Sequence, residues 1–256
     1  MIIYRVSRMI KLEVKDVSKY FSEKLVLHHL NLHVLDHEII SIIGPSGVGK
    51  STLFNIIAGL LTPSSGEVLL DGESVIDMPG KVSYMLQKDL LLPYKTIEEN
   101  ITLPLILQGV KKKEALQRAN QLLEEFNMAS VSKSYPKDLS GGMRQRIALL
   151  RTYLFSSNLI LLDEPFSALD SFTKSEIHEW YLNIHKKLSL TTLFITHDID
   201  EAIKLSDRIY ILKNQSDDQL DMIELSKEKN ADFQLTKEFL DYKKQVIENL
   251  NTKFEP

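Results

Sequence analysis

An α/β fold with a mixed, largely parallel core sheet is what this 256-residue chain predicts, and three observations carry that expectation. The apolar run Ile39 to Ile43 ends in a glycine-rich loop, GPSGVGKST at 44–52, which leads straight into the helical pattern LFNIIAGLL. Two further short apolar strands, LILLD and TTLFIT, alternate with helical stretches at about Ile97 to Gln108, Lys113 to Phe126, Gly141 to Phe155 and Phe172 to Leu188. Strands alternating with helices favour a parallel sheet. Ahead of the loop, LEVKDVS, the alternating LVLHHLNLHVL and the buried run EIISII read as strands broken by polar turns, which predicts an N-terminal antiparallel β layer.

The loop carries the first chemistry. Strand, loop and helix in that order are the context of a P-loop, the cradle of a nucleoside triphosphate. Gly44, Gly47 and Gly49 let the backbone wrap closely around phosphates, with Pro45, Ser46 and Val48 between them. The exposed N–H groups and the helix N-terminus attract anions. Lys50 is placed to reach the terminal phosphates, Ser51 to hold a magnesium ion, and Thr52 closes the motif.

Composition bounds the rest. With 43% hydrophobic residues the chain can bury a sizeable core. No apolar run approaches the roughly 20 residues that span a bilayer, and the charged start lacks a signal peptide's apolar centre. The absence of cysteine excludes disulfides, thiolate metal sites and cysteine nucleophiles, and fits a reducing cytoplasm. Of the net charge of −4, residues 217–256 carry the deficit, with ten acidic and six basic side chains, leaving 25 of each sign before them. A neutral body lacks the basic excess of a nucleic-acid binder.

Residues 1–10 read as an N-terminal extension and 11–213 as the nucleotide-binding domain, with a helical subdomain at about 88–155. From 214 to 256 the chain reads as a polar linker and a terminal helix with Leu235, Phe239, Val246 and Leu250 at helical spacing. His29, His33 and His37 recur every fourth residue, but on strands that spacing is about 13 Å, too far to share one metal.

Two more motifs narrow the chemistry. LILLDEP at 159–165 is an apolar strand ending in Asp163, a metal-side acid, and Glu164, a candidate base for water. LSGGMRQR at 139–146 sets Ser140, Gly141 and Gly142 at the start of a helix, a second place where backbone N–H groups favour phosphate.

Over roughly residues 11–213 these motifs together resemble the ATP-binding subunit of ABC transporters, LSGGMRQR matching that family's signature. The resemblance implies two subunits facing head to tail, with ATP held between the P-loop of one and the signature of the other. It implies that Tyr20 stacks on adenine, that Gln87 senses magnesium and the attacking water, and that His197 stands near the γ-phosphate. SALD at 167–170 matches the loop that links the two sites. The implied reaction is in-line attack of water on ATP, with Glu164, Gln87, His197 and Lys50 as the catalytic set and Ser51, Gln87 and Asp163 on magnesium.

KDLLLPYKTIEEN resembles the importers of the nitrate, sulfonate and taurine type and relatives that import thiamine precursors, although Tyr94 stands where tryptophan is usual. Leu91, Leu92, Pro93 and Tyr94 are then expected to meet a coupling helix of an integral membrane permease, an extracytoplasmic substrate-binding protein completes the complex, and the chain sits at the cytoplasmic face of a bacterial membrane. LLRTYLF after the signature departs from the family's smaller residues. An exporter or lipoprotein-extracting ATPase shares the fold, though a signature such as LSGGQQQR is expected there. A small-molecule P-loop kinase lacks any LSGG segment.

Overall fold

The computed structural model describes residues 9–155, 159–213, 219–226, 229–230 and 232–251. The chain opens with β1 (Ile10–Phe21), β2 (Lys24–Leu35), β3 (Ile39–Ile43), α1 (Lys50–Ile57), β4 (Ser65–Leu70) and β5 (Glu73–Ser74). Its middle holds β6 (Ser83–Met85), α2 (Ile97–Leu107), α3 (Lys112–Glu125), α4 (Gly141–Tyr153), β7 (Leu159–Asp163) and α5 (Ser171–Lys187). β8 (Thr191–Ile195), α6 (Ile199–Leu205), β9 (Arg208–Leu212), β10 (Leu220–Glu224) and α7 (Lys237–Asn251) follow. Two compact units result: one from the chain up to Lys81 together with the chain from Leu190 onward, the other Val82–Ser189.

In the first unit the expected antiparallel layer is present, ordered β2-β1-β4-β5. Val14 pairs with Leu32 and with Val68, and all three are buried, while Lys15 and Asp16 face outward. Its second half, β4 and β5, lies after the glycine-rich loop and was not read from the sequence. Behind the loop β3 lies parallel between β8 and β9, and all fifteen residues of the three strands are buried. Strands buried along their whole length belong to a sheet covered on both faces. β10 closes this side antiparallel to β9.

The turn into β3 is fastened by a buried ion pair. Arg208 donates from Nε to Glu38 Oε1 at 2.6 Å and from Nη2 to Oε2 at 2.7 Å. Such a fork is among the strongest charged contacts. Burial and the adjacent guanidinium hold the His33 pKa below its ordinary value, so its Nε2 faces Arg208 Nη1 at 3.1 Å as a neutral acceptor.

The C-terminal reading needs two corrections. The segment read as a linker contains β10, whose LDMIE is short, mixes polar and apolar residues and is only partly buried, a weak pattern for a strand. Leu235 is not on the helix: it ends a 3₁₀ turn and is 85% exposed, while Phe233 of that turn takes the core position. Phe239 and Val246 of α7 are buried as the helical spacing predicts, and Leu250 packs against the same cluster. Of the N-terminal extension, residues 1–8 lie outside the described residues, and Ile10 already pairs with Leu35.

In the second unit β6 and β7 pair in parallel and the predicted helices stand within two residues of their expected ends. The unit is wider than the helical stretch at 88–155, since it includes both strands and α5. Thr96 caps α2 in a reciprocal box with Glu99, satisfying N–H groups the first turn leaves without partners. Asn100 accepts from the Leu92 N–H at 2.7 Å and donates to the carbonyls of Leu92, Lys95 and Thr96, which fixes the loop ahead of that helix.

Candidate active site

Strand register positions the site residues in both units. In the first, Ile42 of β3 stands opposite Ile195 of β8, so Gly44 and His197, each two residues on, leave the same carboxyl edge of adjacent parallel strands. In the second, Met85 of β6 stands opposite Leu162 of β7, and two residues on come Gln87 and Glu164. The crevice beyond the carboxyl ends of parallel strands is where α/β sheets bind ligands.

The loop after β3 has room for nothing larger than glycine at its ends. A Cβ at Gly44 would lie 2.3 Å from the Leu212 carbonyl oxygen, and one at Gly49 would lie 2.6 Å from Leu27 Cδ2. Gly49 is also the N-cap of α1, with φ of 113°. Pro45, Ser46 and Gly47 are exposed and Val48 is buried, anchoring the loop. The Lys50 ammonium donates to the carbonyls of Gly44 and Pro45 at 2.8 Å each, which holds it over the loop. Ser51 is exposed and Thr52 half-buried in the first turn of α1, whose Leu53, Phe54, Ile56 and Ile57 are in the core.

Tyr20, near the end of β1, exposes about half its surface, and its N–H donates to Ser64 Oγ at 3.0 Å. The ring is accessible for stacking while the backbone is held. His197 follows the buried Thr196, whose Oγ1 accepts the Asp198 N–H at 3.0 Å. Asp198 in turn caps α6 by accepting from the Glu201 N–H at 3.1 Å.

In the second unit Gln87 Nε2 donates to Glu164 Oε2 at 3.0 Å. Two residues 77 apart in sequence and both expected to handle water are thus in direct contact. Glu164 takes φ of 47°, the left-handed region a non-glycine residue occupies only when its surroundings demand it. Ser167 secures that turn, its N–H and its hydroxyl both donating to the Glu164 carbonyl, at 3.3 and 3.0 Å.

Asp163 ends β7, and its Oδ2 accepts from the Tyr84 hydroxyl at 3.3 Å. Burial, and then the Asp163 charge and hydrogen bond, push the Tyr84 pKa up, so the phenol remains a donor. Sequence reading missed Tyr84, which looked like one more strand residue in SYM; its only signal was its place three residues before Gln87.

At the signature, Ser140 caps α4, its Oγ accepting the Met143 N–H at 3.3 Å. Gly142 is buried, and a Cβ there would come within 2.7 Å of Thr173 Cγ2; Gly141 is exposed and has more room. Asp170 of SALD caps α5, accepting from the N–H groups of Phe172 and Thr173 at 3.1 Å each. Of the ledge expected after Gln87, Pro93 and Tyr94 are exposed, but Leu91 is 7% exposed and faces the core. Leu90, 53% exposed, takes the outward position instead. Arg151 of LLRTYLF donates from Nη1 to the Leu90 carbonyl at 2.8 Å and from Nη2 to the Asp89 carbonyl at 2.5 Å, and so fastens the loop after Gln87.

Comparison with known proteins bears directly on this arrangement. The family model described as ABC transporter matches residues 27–167. The chain is 46% identical over 196 residues to the formylaminopyrimidine import ATP-binding protein of Halalkalibacterium halodurans, covering 77% of this chain and 76% of that protein. It is 44% identical over 203 residues to the aliphatic sulfonates import ATP-binding protein of Bacillus cereus, covering 78% and 80%. Among solved structures, the dimeric structure of a bacterial ABC transporter cassette superposes with a TM-score of 0.70 at 31% identity, covering 85% of this chain and all of that one. The same cassette in a post-hydrolysis state bound to ADP and phosphate superposes equally well, at 30% identity.

Proposed function

This chain belongs to the ABC transporter family, and from that premise we propose that it drives uptake of a small solute of the nitrate, sulfonate, taurine or thiamine-precursor type. Its fold is the ABC ATPase cassette, it binds ATP, and it is an ATPase coupled to transport. Cassettes of this kind dimerise and work with a membrane permease. The import proteins it is similar to favour uptake over the exporter reading.

The observation that carries the catalytic part of the proposal is the contact between Gln87 and Glu164 beside Asp163. The loop N–H groups and Lys50 bind the phosphates, and Tyr20 supports the adenine. Ser51, Asp163 and Gln87 offer hard oxygen donors, the set magnesium prefers. Magnesium, when bound, supplies positive charge that offsets the charge on the transferring phosphoryl group. Glu164, with one carboxylate oxygen held by Gln87, orients the attacking water and takes its proton. His197 meets the γ-phosphate from the carboxyl end of β8. Ser140 and Gly142 of a second copy, in the head-to-tail dimer, complete the site, and catalysis is chiefly positioning and charge stabilisation.

In this reading residues 11–213 form the ATPase domain, and a permease helix docks beside Pro93 and Tyr94 with Leu92 at the margin. An extracytoplasmic binding protein delivers the solute, and the chain is peripheral at the cytoplasmic face of a bacterial membrane. Among the described residues no helix is long and apolar enough to cross a membrane. Capture of tagged Glu164→Gln protein from native membranes with ATP and magnesium tests this. Recovery of a small multi-helix permease with a substrate-binding lipoprotein is expected, and the ligand of that lipoprotein identifies the solute. A permease with a large extracellular domain, or soluble partners alone, would overturn the importer proposal.

A further inference from the structure

The segment after β10 lies beyond the residues the family model matches, and it packs against α6 as well as against Ile209 and Ile211 of β9. α6 has only seven residues, starts two positions after His197, and is too short to be stable by itself. Its amino end is fastened by Asp198. Its carboxyl end presents carbonyls that no further turn can satisfy.

Lys229 reaches those carbonyls, its ammonium donating to the Ile203 oxygen at 2.7 Å and to the Ser206 oxygen. Ala202 and Ile203 of α6 share an apolar cluster with Phe233, Phe239 and Val246 of the tail. Lys243 of α7 pairs with Asp200 of α6 at 2.7 Å. The Tyr242 hydroxyl accepts the Ser226 N–H at 3.0 Å, pinning the connection between β10 and α7.

We propose that this C-terminal segment is a brace for the helix behind His197, with Lys229 as its positioning residue. By capping the carboxyl end of α6, Lys229 sets where His197 stands during phosphate transfer. The inference rests on the reading that His197 acts at the γ-phosphate. The choice of lysine supports it, because an apolar side chain of the same length would fill the space without burying a charge. A cation against the carboxyl end of a helix is the favourable sign for the helix dipole.

Among the described residues, few groups face the ammonium. Asp207, before β9, and Glu238, on α7, favour its charge, and the ring of Phe233 lies 5.8 Å away. Burial outweighs them and brings the Lys229 pKa down to about 8. Charged Lys229 therefore works below about pH 8 and is discharged above it, while an unfolded chain would keep the proton to higher pH. Folding gains from the loss of that buried charge as the cap weakens, so stability and activity move in opposite directions.

Lys229→Met keeps the stem and removes both charge and donor. Phosphate release by the full chain, assembled with its permease, should fall about tenfold as His197 shifts, with ATP affinity unchanged and melting temperature equal or higher. The wild-type rate should decline above about pH 8, and the variant should lack that alkaline limb. A variant with the wild-type rate and the same alkaline limb overturns the brace, provided His197→Ala abolishes turnover. If His197→Ala turns over normally, the role given to His197 has failed, and the brace with it. Should Lys229→Met melt below the assay temperature, hydrogen exchange on the wild-type chain decides. Protection of the α6 amides should drop around pH 8 beyond the intrinsic rate change; unchanged protection overturns the proposal.

Discussion

Gly44 and Gly47 share a loop but differ in what a methyl group would meet, and that difference is measurable. At Gly44 the obstacle is the Leu212 backbone oxygen, which cannot rotate away, so Gly44→Ala should destabilise by about 3 kcal/mol and abolish ATP binding. At Gly47 nothing lies within 4 Å, and the cost of Gly47→Ala is only that of φ at 76°, about 1 kcal/mol. Urea unfolding of the two variants should separate them; equal losses would show that the loop moves as one. Tyr84→Phe removes the hydroxyl on Asp163 without disturbing the strand. An outer hydrogen bond of this kind orients a metal-side carboxylate, so the magnesium needed for half-maximal turnover should rise by up to about tenfold. An unchanged requirement would make the hydroxyl idle. The place of Glu164 just after a strand was legible in the sequence, because DE ends an apolar run behind a P-loop. Its contact with Gln87 was not, because two loops 77 residues apart meet only through the parallel register of β6 and β7. Leu91 was misplaced for a related reason: in LLLP every residue is apolar, and which one faces inward depends on the turn at Leu90, whose φ of 47° reverses the alternation.

Of the helices legible in the sequence, α2, α4 and α5 also carry side-chain caps. Thr96 before α2, Ser140 before α4 and Asp170 before α5 all accept N–H groups of their first turns. Thr96→Ala should lower stability by about 1 kcal/mol, read from the urea midpoint. Asp170 adds a pH dependence. The Thr173 N–H above all, then the Thr173 hydroxyl, and more weakly the Phe172 N–H, hold its carboxyl below the usual aspartate pKa. A depressed folded value means that this contact contributes above the unfolded pKa and is lost as pH falls through the folded one. Asp170→Asn keeps an acceptor and should flatten that part of the acid dependence of unfolding; an identical acid profile would exclude the cap as its source. β4 and β10 were harder to see, since SGEVLL and LDMIE are short, mix polar and apolar residues, and are strands only because β1 and β9 pair with them. Tertiary partners outweigh weak local preference in such segments.

Across the whole molecule, the two proposed phosphate cradles make sense as halves of two equivalent sites. A two-fold arrangement lets the same pair of patches close on each other twice. ATP with magnesium should therefore convert Glu164→Gln protein from monomer to dimer in light scattering. Gly142→Ala, which crowds Thr173 at the start of the signature helix, should prevent the shift while leaving ATP bound to its own loop. Dimerisation undisturbed by that change would argue against the signature as the second cradle. The central claim is that Glu164 takes the proton from water, and phosphate release by Glu164→Gln with ATP and magnesium tests it most directly. ATP binding should be retained while turnover falls by roughly a thousandfold. Turnover at the wild-type rate would contradict the assignment, and with it the meaning given to the Gln87 contact.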